Sequence, residues 1–422
     1  MKGARNSLIP LSLQGRSVSV GSLAFLAATP FLAASVCAQS REIEVGIENY
    51  YYRTTTTPLN RDNAFGLDPH LDQLRATLGW KESHGGARAV FRGYVERRFD
   101  LPGEQTRWVA RQAYAQYWWG AQFGLRAGKQ RIGWGSGFAW NPTDRIEPPK
   151  SALNTGAEQE GVLAARMDWV PTPWAGVVLV AARTDITRTE LPTALEHAGR
   201  RAAALRARFL VEDTDLALVL SGGKGQRALV GFDLGRDLWG LSLHAEASLT
   251  RGAELPPARE DLTFLRLVAG ALHTRGPTAI AIEYFFNGEG YDAGERGDYL
   301  AGLEAAHRRA TDPTLAPGER DVALAAYLAA AALPYSGGLG LRRHYLHASW
   351  TRSPLRERWT AALRAVVGLA DGGVALTPGL GFAPRGDLTL RLDAVLLLGP
   401  ARSEYRLAPL RAAVQLQARV LF

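Results

Sequence analysis

From Glu42 onward, apolar and polar residues alternate with a period of two in stretches of about ten residues. Ile43, Val45 and Ile47 alternate with Glu44, Gly46 and Glu48, and Leu74, Ala76, Leu78 and Trp80 with Gln73, Arg75, Thr77 and Gly79. The pattern returns at Leu241, Leu243, Ala245, Ala247 and Leu249 against Ser242, His244, Glu246 and Ser248, and at Leu388, Leu390, Leu392 and Ala394 against Thr389, Arg391 and Asp393. Successive side chains of a strand point to opposite faces, so each stretch is an amphipathic β-strand with one greasy face and one often charged. A soluble sandwich gives the same alternation, which alone does not separate a protein core from lipid.

Connection lengths separate them better. Strands are predicted at 41–53, 70–82, 87–100, 107–119, 122–132, 162–171, 174–184, 202–212, 214–222, 227–236, 239–250, 262–274, 278–287, 343–353, 359–370, 374–383, 387–398 and 410–422. Even-numbered connections are short turns such as Ser83-His84-Gly85-Gly86 and Gly120-Ala121, whereas every long connection falls on an odd gap, the longest being Gly288 to Arg342. Short periplasmic turns, long outer loops and an even strand count predict an all-β fold: a closed antiparallel transmembrane β-barrel of about 18 strands with long extracellular loops.

The chain ends agree. Lys2, Arg5 and Arg16 precede an apolar, small-residue stretch from Val18 to Val36 and then Val36-Cys37-Ala38, which predicts a signal peptide over 1–38 cut after Ala38 and a barrel domain over 39–422. Lipidation at Cys37 is the alternative, disfavoured by Val36. Cys37 is the only cysteine, so a chain cut after Ala38 forms no internal disulfide and no cysteine metal site. The formal charge of +8 falls by three, to +5, without Lys2, Arg5 and Arg16. No later apolar run reaches the roughly 18 residues of a spanning helix. At the other end Val414, Leu416, Ala418 and Val420 alternate with polar residues up to Phe422, and a final amphipathic strand ending in Phe resembles the signal by which the barrel assembly machinery takes its substrates. Aromatics near strand ends, among them Tyr50, Tyr51, Tyr52, Trp118, Trp119, Trp169, Trp174, Trp239 and Trp359, suit the girdles of a membrane interface.

The most distinctive stretch is Gly128-Lys129-Gln130-Arg131-Ile132-Gly133-Trp134-Gly135-Ser136-Gly137, followed by Asn141-Pro142-Thr143-Asp144-Arg145. Its glycines permit a tight backbone path, and Asn141 or Asp144 can cap neighbouring amides. It resembles an element of porin-like outer-membrane barrels of the alginate-export type, in which G-[KR]-Q-x-x-x-W-G-x-G precedes N-P-x-D. That resemblance implies a channel for an anionic polysaccharide, a polyuronate presenting one carboxylate per sugar. A loop tucked into the barrel would bring Asp144, Arg145, Glu147 and Lys150 to the constriction, where charge sets selectivity; a hinge folded into the barrel wall is the structural alternative.

Placing charge away from lipid assigns Arg75, Arg88, Arg92, Arg98, Arg126, Arg166, Arg206, Arg208, Arg266, Arg364, Arg391 and Arg419 to the lumen, against Glu44, Glu48, Glu96, Asp168, Glu283 and Asp393. The surplus of arginine predicts an anion-preferring pore. The pore-lining set is Arg92, Arg126, Lys129, Arg131, Asp144, Arg145, Lys150, Arg166 and Arg391. In the longest connection, Asp298 to Ala310 and Gly318 to Leu333 have helical composition and form a lid or plug, or a helix packed on the surface. Asn287-Gly288 reads as turn chemistry.

Other classes find less support. His244, Glu246 and Ser248 share one strand face, but neighbours two apart lie about 7 Å from each other, too far for a nucleophile–base hydrogen bond. The His residues lack metal-ligand spacing, no phosphate-loop or other cofactor motif is present, and nucleic-acid binding has only the basic pI behind it. The sequence therefore predicts an outer-membrane channel without enzymatic activity or cofactor, its partners being outer-membrane lipid, the assembly machinery and an anionic solute. A non-transport barrel, acting as scaffold or adhesin through its long loops, is the alternative.

Overall fold

The computed structural model describes residues 40–67, 69–99, 105–148, 150–153, 159–183, 201–253, 255, 259–336 and 340–422. The cleavage expected after Ala38 lies outside them. The strands are β1 (Ser40–Thr54), β2 (His70–His84), β3 (Ala87–Arg98), β4 (Gln105–Trp119), β5 (Phe123–Gln130), β6 (Val162–Thr172), β7 (Ala175–Arg183), β8 (Arg201–Val211) and β9 (Thr214–Lys224). They continue as β10 (Gln226–Leu238), β11 (Leu241–Arg251), β12 (Thr263–Arg275), β13 (Thr278–Asn287), β14 (His344–Arg356), β15 (Trp359–Gly368), β16 (Gly373–Arg385), β17 (Leu388–Leu398) and β18 (Leu410–Leu421). Each end lies within three residues of the sequence expectation.

Every strand pairs antiparallel with its neighbours in sequence, and β1 also pairs with β18, so the sheet of 18 strands closes. Closure leaves no strand edge, the condition for a β-structure in hydrocarbon. The even-numbered connections are tight. At the turn between β10 and β11, Trp239 and Gly240 have φ of 52° and 75°, the left-handed pair that a two-residue hairpin of type I′ requires.

The alternation becomes an outside and an inside. Leu218, Leu220, Val230 and Ile282 point outward and are exposed, while Ala217, Val219 and Glu283, one position away, are buried. Near the short turns the outer face carries aromatics: Tyr117 against Trp119 at 4.7 Å, Trp119 against Phe123 at 5.4 Å and Trp359 against Phe382 at 4.6 Å, with Trp239 standing 86% exposed. Not every expected girdle aromatic belongs there. Tyr50 donates to Glu48 at 2.7 Å on the inner face, and Trp118 lies over Gly124, where a Cβ would come within 2.8 Å of its ring.

The connection between β13 and β14 forms a helical hairpin, α1 (Ala293–Thr311) and α2 (Pro317–Ser336). α1 starts five residues before the sequence expectation. Asp292 and Glu295 form a reciprocal capping box there, with both hydrogen bonds at 2.9 Å. The hairpin reaches the β1–β2 and β17–β18 loops: Leu303, Tyr327, Ala331 and Ala332 bury against Leu59, Phe65 and Leu407. The Tyr327 hydroxyl donates to the Pro58 carbonyl at 3.0 Å and accepts the Arg61 amide at 2.7 Å. The hairpin thus fastens the loops on both sides of the seam where first and last strands meet.

The outward assignment has a direct energetic test. Leu218→Arg, near the middle of β9, should cost about 2–4 kcal/mol of stability in a urea titration of the barrel in lipid vesicles. A neutral result would remove Leu218 from the lipid face.

Candidate functional site: the loop folded into the barrel

β5 ends at Gln130, whose fully buried side-chain amide donates to the Ala164 carbonyl of β6 at 2.8 Å. The chain then turns into the bore. Ile132, Trp134 and Ile146 bury against inward-facing residues of β6–β10, including Val162, Ala164, Val180, Ala182, Val219 and Leu229. Burial of these side chains provides the main driving force for holding a loop inside a barrel. Farther along, Trp140 stacks on Phe285 of β13 at 5.0 Å, tilts toward Tyr345 of β14 at 6.0 Å and meets the edge of His347 at 6.3 Å. β5 and β13 are eight strands apart in a ring of eighteen, so the loop crosses the bore to the nearly opposite wall.

Three wall carboxylates hold it there. Glu283 of β13 accepts the amides of Phe138 at 2.5 Å, Ala139 at 3.0 Å and Trp140 at 3.1 Å, and lies 2.9 Å from His244 Nε2. Glu246 of β11 accepts the Gly137 amide and the Thr143 hydroxyl, each at 2.7 Å, and Asp233 of β10 accepts the Ser136 hydroxyl at 2.6 Å. Glu246 and Glu283 are fully buried. Carboxyl groups taken out of water in this way are tolerated because several donors converge on them. The glycine spacing follows from this grip: a Cβ at Gly135, where φ is 87°, would stand 2.8 Å from a Glu246 oxygen, and one at Gly137 would stand 2.0 Å from the Trp140 carbonyl oxygen.

The loop also braces itself. Lys150 donates to the Gly137 carbonyl at 2.6 Å and to Asn141 Oδ1 at 3.1 Å, while Asn141 Nδ2 donates to the Trp134 carbonyl at 2.8 Å. Arg131 donates to Glu147 at 3.1 Å and to Gln159 at 2.8 Å. Asp144 accepts the amides of Ile146 at 3.0 Å and Glu147 at 3.1 Å, the capping role its turn sequence suggests. Burial and the neighbouring Glu147 push the Asp144 carboxyl up to about 6, while burial lowers the Lys150 ammonium. Arg145 is half-buried and its carbonyl accepts from Gln226.

Arginines dominate the wall from which the loop departs. Arg75, Arg98 and Arg107 converge on the fully buried Glu96 at 2.7, 3.0 and 3.0 Å. Tyr94 lies between the guanidinium groups of Arg75 at 4.6 Å and Arg111 at 4.7 Å. Arg126 donates to Gln116 at 3.1 Å and covers the Tyr114 ring at 4.9 Å. Arg166 pairs with Asp168 at 2.6 Å, Arg206 with Asp233 at 3.1 Å, and Arg391 with Asp393.

The expected pore-lining residues thus fall into three groups. Arg92, Arg126, Arg166 and Arg391 lie on the inner wall; Arg131, Asp144, Arg145 and Lys150 belong to the loop. Lys129 does neither. It faces outward beside Leu163, which is 56% exposed, and pairs with Glu160 at 3.4 Å. Its place one residue from Gln130 decides this, since Gln130 points inward and strand parity puts its neighbour outside. The sequence reading missed Arg107 and Arg111, because a register shift between Arg92 and Gly93 inserts Arg111 as an extra residue and breaks the parity of β4. It also missed Asp233 and weighed Glu246 only for catalysis. His244 and Glu246 instead anchor the loop. Among the described residues, no group of three or more His, Cys, Asp or Glu side chains is placed to hold a metal ion.

No family model matches the chain, and no curated protein does. Solved structures do. Pseudomonas aeruginosa OccK5 (OpdH) superposes with a TM-score of 0.54 at 9% identity over 91% of this chain and 98% of that one. The fold is that of the Occ outer-membrane porins. Acinetobacter baumannii OccAB1 gives 0.53 at 12% identity over 91% and 97%, and Pseudomonas aeruginosa OpdK, in a structure with vanillate, 0.52 at 10% over 91% and 99%. The likeness extends to the whole barrel and at these identities describes architecture. The alginate-export resemblance is a finer matter that rests on residues 128–145.

The loop's anchorage predicts the effect of one atom exchange. Glu283→Gln keeps the shape but removes the charge from four hydrogen bonds, each of roughly 1.5–3 kcal/mol when charge-assisted. Hydrogen exchange at the amides of Phe138, Ala139 and Trp140 should accelerate at least tenfold while exchange in β1–β4 stays unchanged; equal protection in both proteins would show that the carboxylate does not hold the loop.

Proposed function

We propose that the chain is an outer-membrane channel for passive passage of hydrophilic, anionic solutes. One observation carries this reading: the carboxylates on the β10–β13 wall are occupied by the loop's own amides and hydroxyls, by His244 and, at Asp233, also by Arg206, whereas arginines outnumber the acids on the facing wall, where Arg75, Arg98 and Arg107 share Glu96 and Arg126 lies over Tyr114. Negative charge is spent within the protein, and the surplus facing water is positive. Low-dielectric walls focus such a field and raise the local anion concentration. The Occ fold is compatible with this reading, as is the vanillate in the OpdK structure, since vanillate carries a carboxylate. A polyuronate, suggested by the Gly128–Arg145 resemblance, would offer a carboxylate on each sugar for bidentate arginine contact.

Insertion by the barrel assembly machinery is part of the same reading. Phe422 donates its amide to Ile43 at the β18–β1 seam and leaves its ring 74% exposed. An aromatic ring so exposed beside the seam is open to a docking partner.

The reversal potential across a salt gradient tests the selectivity. The unmodified channel should prefer anions, and Arg92→Gln with Arg126→Gln should reduce that preference severalfold; cation preference in the unmodified protein would overturn the proposal. The helical hairpin has its own test. Replacing residues 293–336 by a short Gly-Ser linker should raise single-channel conductance if the hairpin restricts the mouth, and unchanged conductance would leave it only the role of a seam clamp. A barrel silent in both forms would support the scaffold or adhesin reading instead.

A further inference from the structure

The outward face of β5–β9 carries a charge pattern that the bore does not explain. In register, Lys129 of β5 lies beside Leu163 of β6, Leu163 beside Arg183 of β7, Arg183 beside Arg201 of β8, and Arg201 beside Lys224 of β9. One cross-strand row at the extracellular ends of five consecutive strands thus holds four cations. Leu163, Arg183, Arg201 and Lys224 are all exposed, which fixes the row on the outer face. Arg183 faces Arg201, and Arg201 faces Lys224, in direct register. Lys129 has Glu160 at 3.4 Å, a surface pair of small energetic worth.

The next row toward the membrane centre is Ala127, Ala165, Ala181, Ala203 and Gly222, and the row below it consists of Leu and Met from Leu125 to Leu220. The step from methyl-sized to leucine-sized side chains leaves an apolar groove of about 740 Å³ immediately under the cations. On the far side of the barrel the outward residues near the extracellular ends of β12, β13, β15, β16 and β17 are Leu265, Phe286, Val367, Val374 and Leu398. With His344 of β14 beside Phe286, no Lys or Arg stands at these positions.

We propose that this face binds a diphosphorylated, multiply acylated glycolipid of the outer leaflet, of the lipid A class. Its phosphates would meet Lys129, Arg183, Arg201 and Lys224, and the first part of an acyl chain would occupy the groove. Charge complementarity and width select this occupant: five strands at 4.7–4.9 Å spacing make the row about 19 Å long, which suits two phosphates held apart by a disaccharide and exceeds the reach of a single phosphodiester. The proposal rests on insertion in an outer membrane and is independent of what passes through the bore.

Native mass spectrometry of the full barrel released from detergent micelles tests it, with purified lipid A, doubly dephosphorylated lipid A and phosphatidylglycerol as probes. Lipid A should bind one to one and more tightly than either of the others. Lys129→Gln, Arg183→Gln, Arg201→Gln and Lys224→Gln together should weaken it about tenfold or more, the order expected for losing charge-assisted phosphate contacts. Ala181→Leu with Ala203→Leu, which fills the groove and leaves every charge, should weaken it severalfold. Arg97→Gln with Arg251→Gln, elsewhere on the outer rim, should leave it unchanged. Heat-modifiable migration establishes folding of each variant, and membrane fractionation reports outer-membrane insertion separately from binding. Equal affinity in the fourfold variant, equal binding of dephosphorylated lipid A or phosphatidylglycerol, or a dimer of the chain abolished by the groove-filling pair would overturn the proposal.

Discussion

Hydrocarbon offers no partner to a backbone amide, and the architecture of this chain depends on meeting that constraint. β1 bonds to β2 on one side and to β18 on the other, so no ladder ends in lipid. Once the sheet closes, strand parity divides every side chain between lipid and bore, and the high cost of a cation near the bilayer midplane sends most charges inward. The charged interior is thus a consequence of closure. What the protein does with those charges is decided by the loop.

A loop folded into a water-filled lumen needs apolar contact and partners for its amides. Here the bore supplies both, from different arcs of its wall. Strands β6–β10 turn Val180, Ala182, Val219 and Leu229 inward to receive Ile132, Trp134 and Ile146; β10, β11 and β13 supply Asp233, Glu246 and Glu283 to receive Ser136, Gly137 and the amides of Phe138 to Trp140. Because Glu246 and Glu283 are surrounded by loop donors and His244, and Asp233 is shared between Ser136 and Arg206, they do not balance the guanidinium groups of β2–β5. One set of interactions therefore narrows the bore and polarises it. Lys150, placed among the loop carbonyls and near Glu246 and Glu283, is part of that internal neutralisation rather than a free cation at a constriction.

Strand number, order and approximate ends were legible in the sequence because period-two alternation and turn chemistry are local signals, and even the largest error, at β14, is three residues. The loop's inward path left a weaker trace. Val178 to Ala182 reads as a continuous apolar run, the mark of a strand covered on both faces, and the glycines at 135 and 137 mark a close backbone approach, while Gly133, with a φ of 64° and open space around it, marks a turn. The partners of that approach, Asp233, Glu246 and Glu283, lie about one hundred residues or more from it in sequence, and no local pattern connects them. Parity failed where β4 carries its extra residue at Arg111, since one inserted residue reverses the faces beyond it. The start of α1 was readable as Asp292-Ala293-Gly294-Glu295, but two glycines near the helix start, Gly294 and Gly297, obscure it by their poor propensity.

Lys129 shows how little sequence proximity says about function in a barrel. It stands next to Gln130, which is buried inside, yet belongs to a different solvent environment. Composition cannot separate an inward arginine from an outward one, and a basic excess read from the chain as a whole merges two populations. Register separates them. The inward population faces water and the solutes within it; the outward population at the rim of β5–β9 faces headgroups, where a cation costs about 0–1 kcal/mol instead of the 2–4 kcal/mol of the midplane. That difference explains why outward cations are tolerated at the rim but not why four share one row over a groove. The low cost of the rim permits scattered charges, as at Arg97 and Arg251, whereas four cations in one register row above an apolar groove match an extended anion with acyl chains. On the two proposals made above, the positive surfaces of this barrel answer to different partners, an anionic solute in the bore and a glycolipid in the membrane around it.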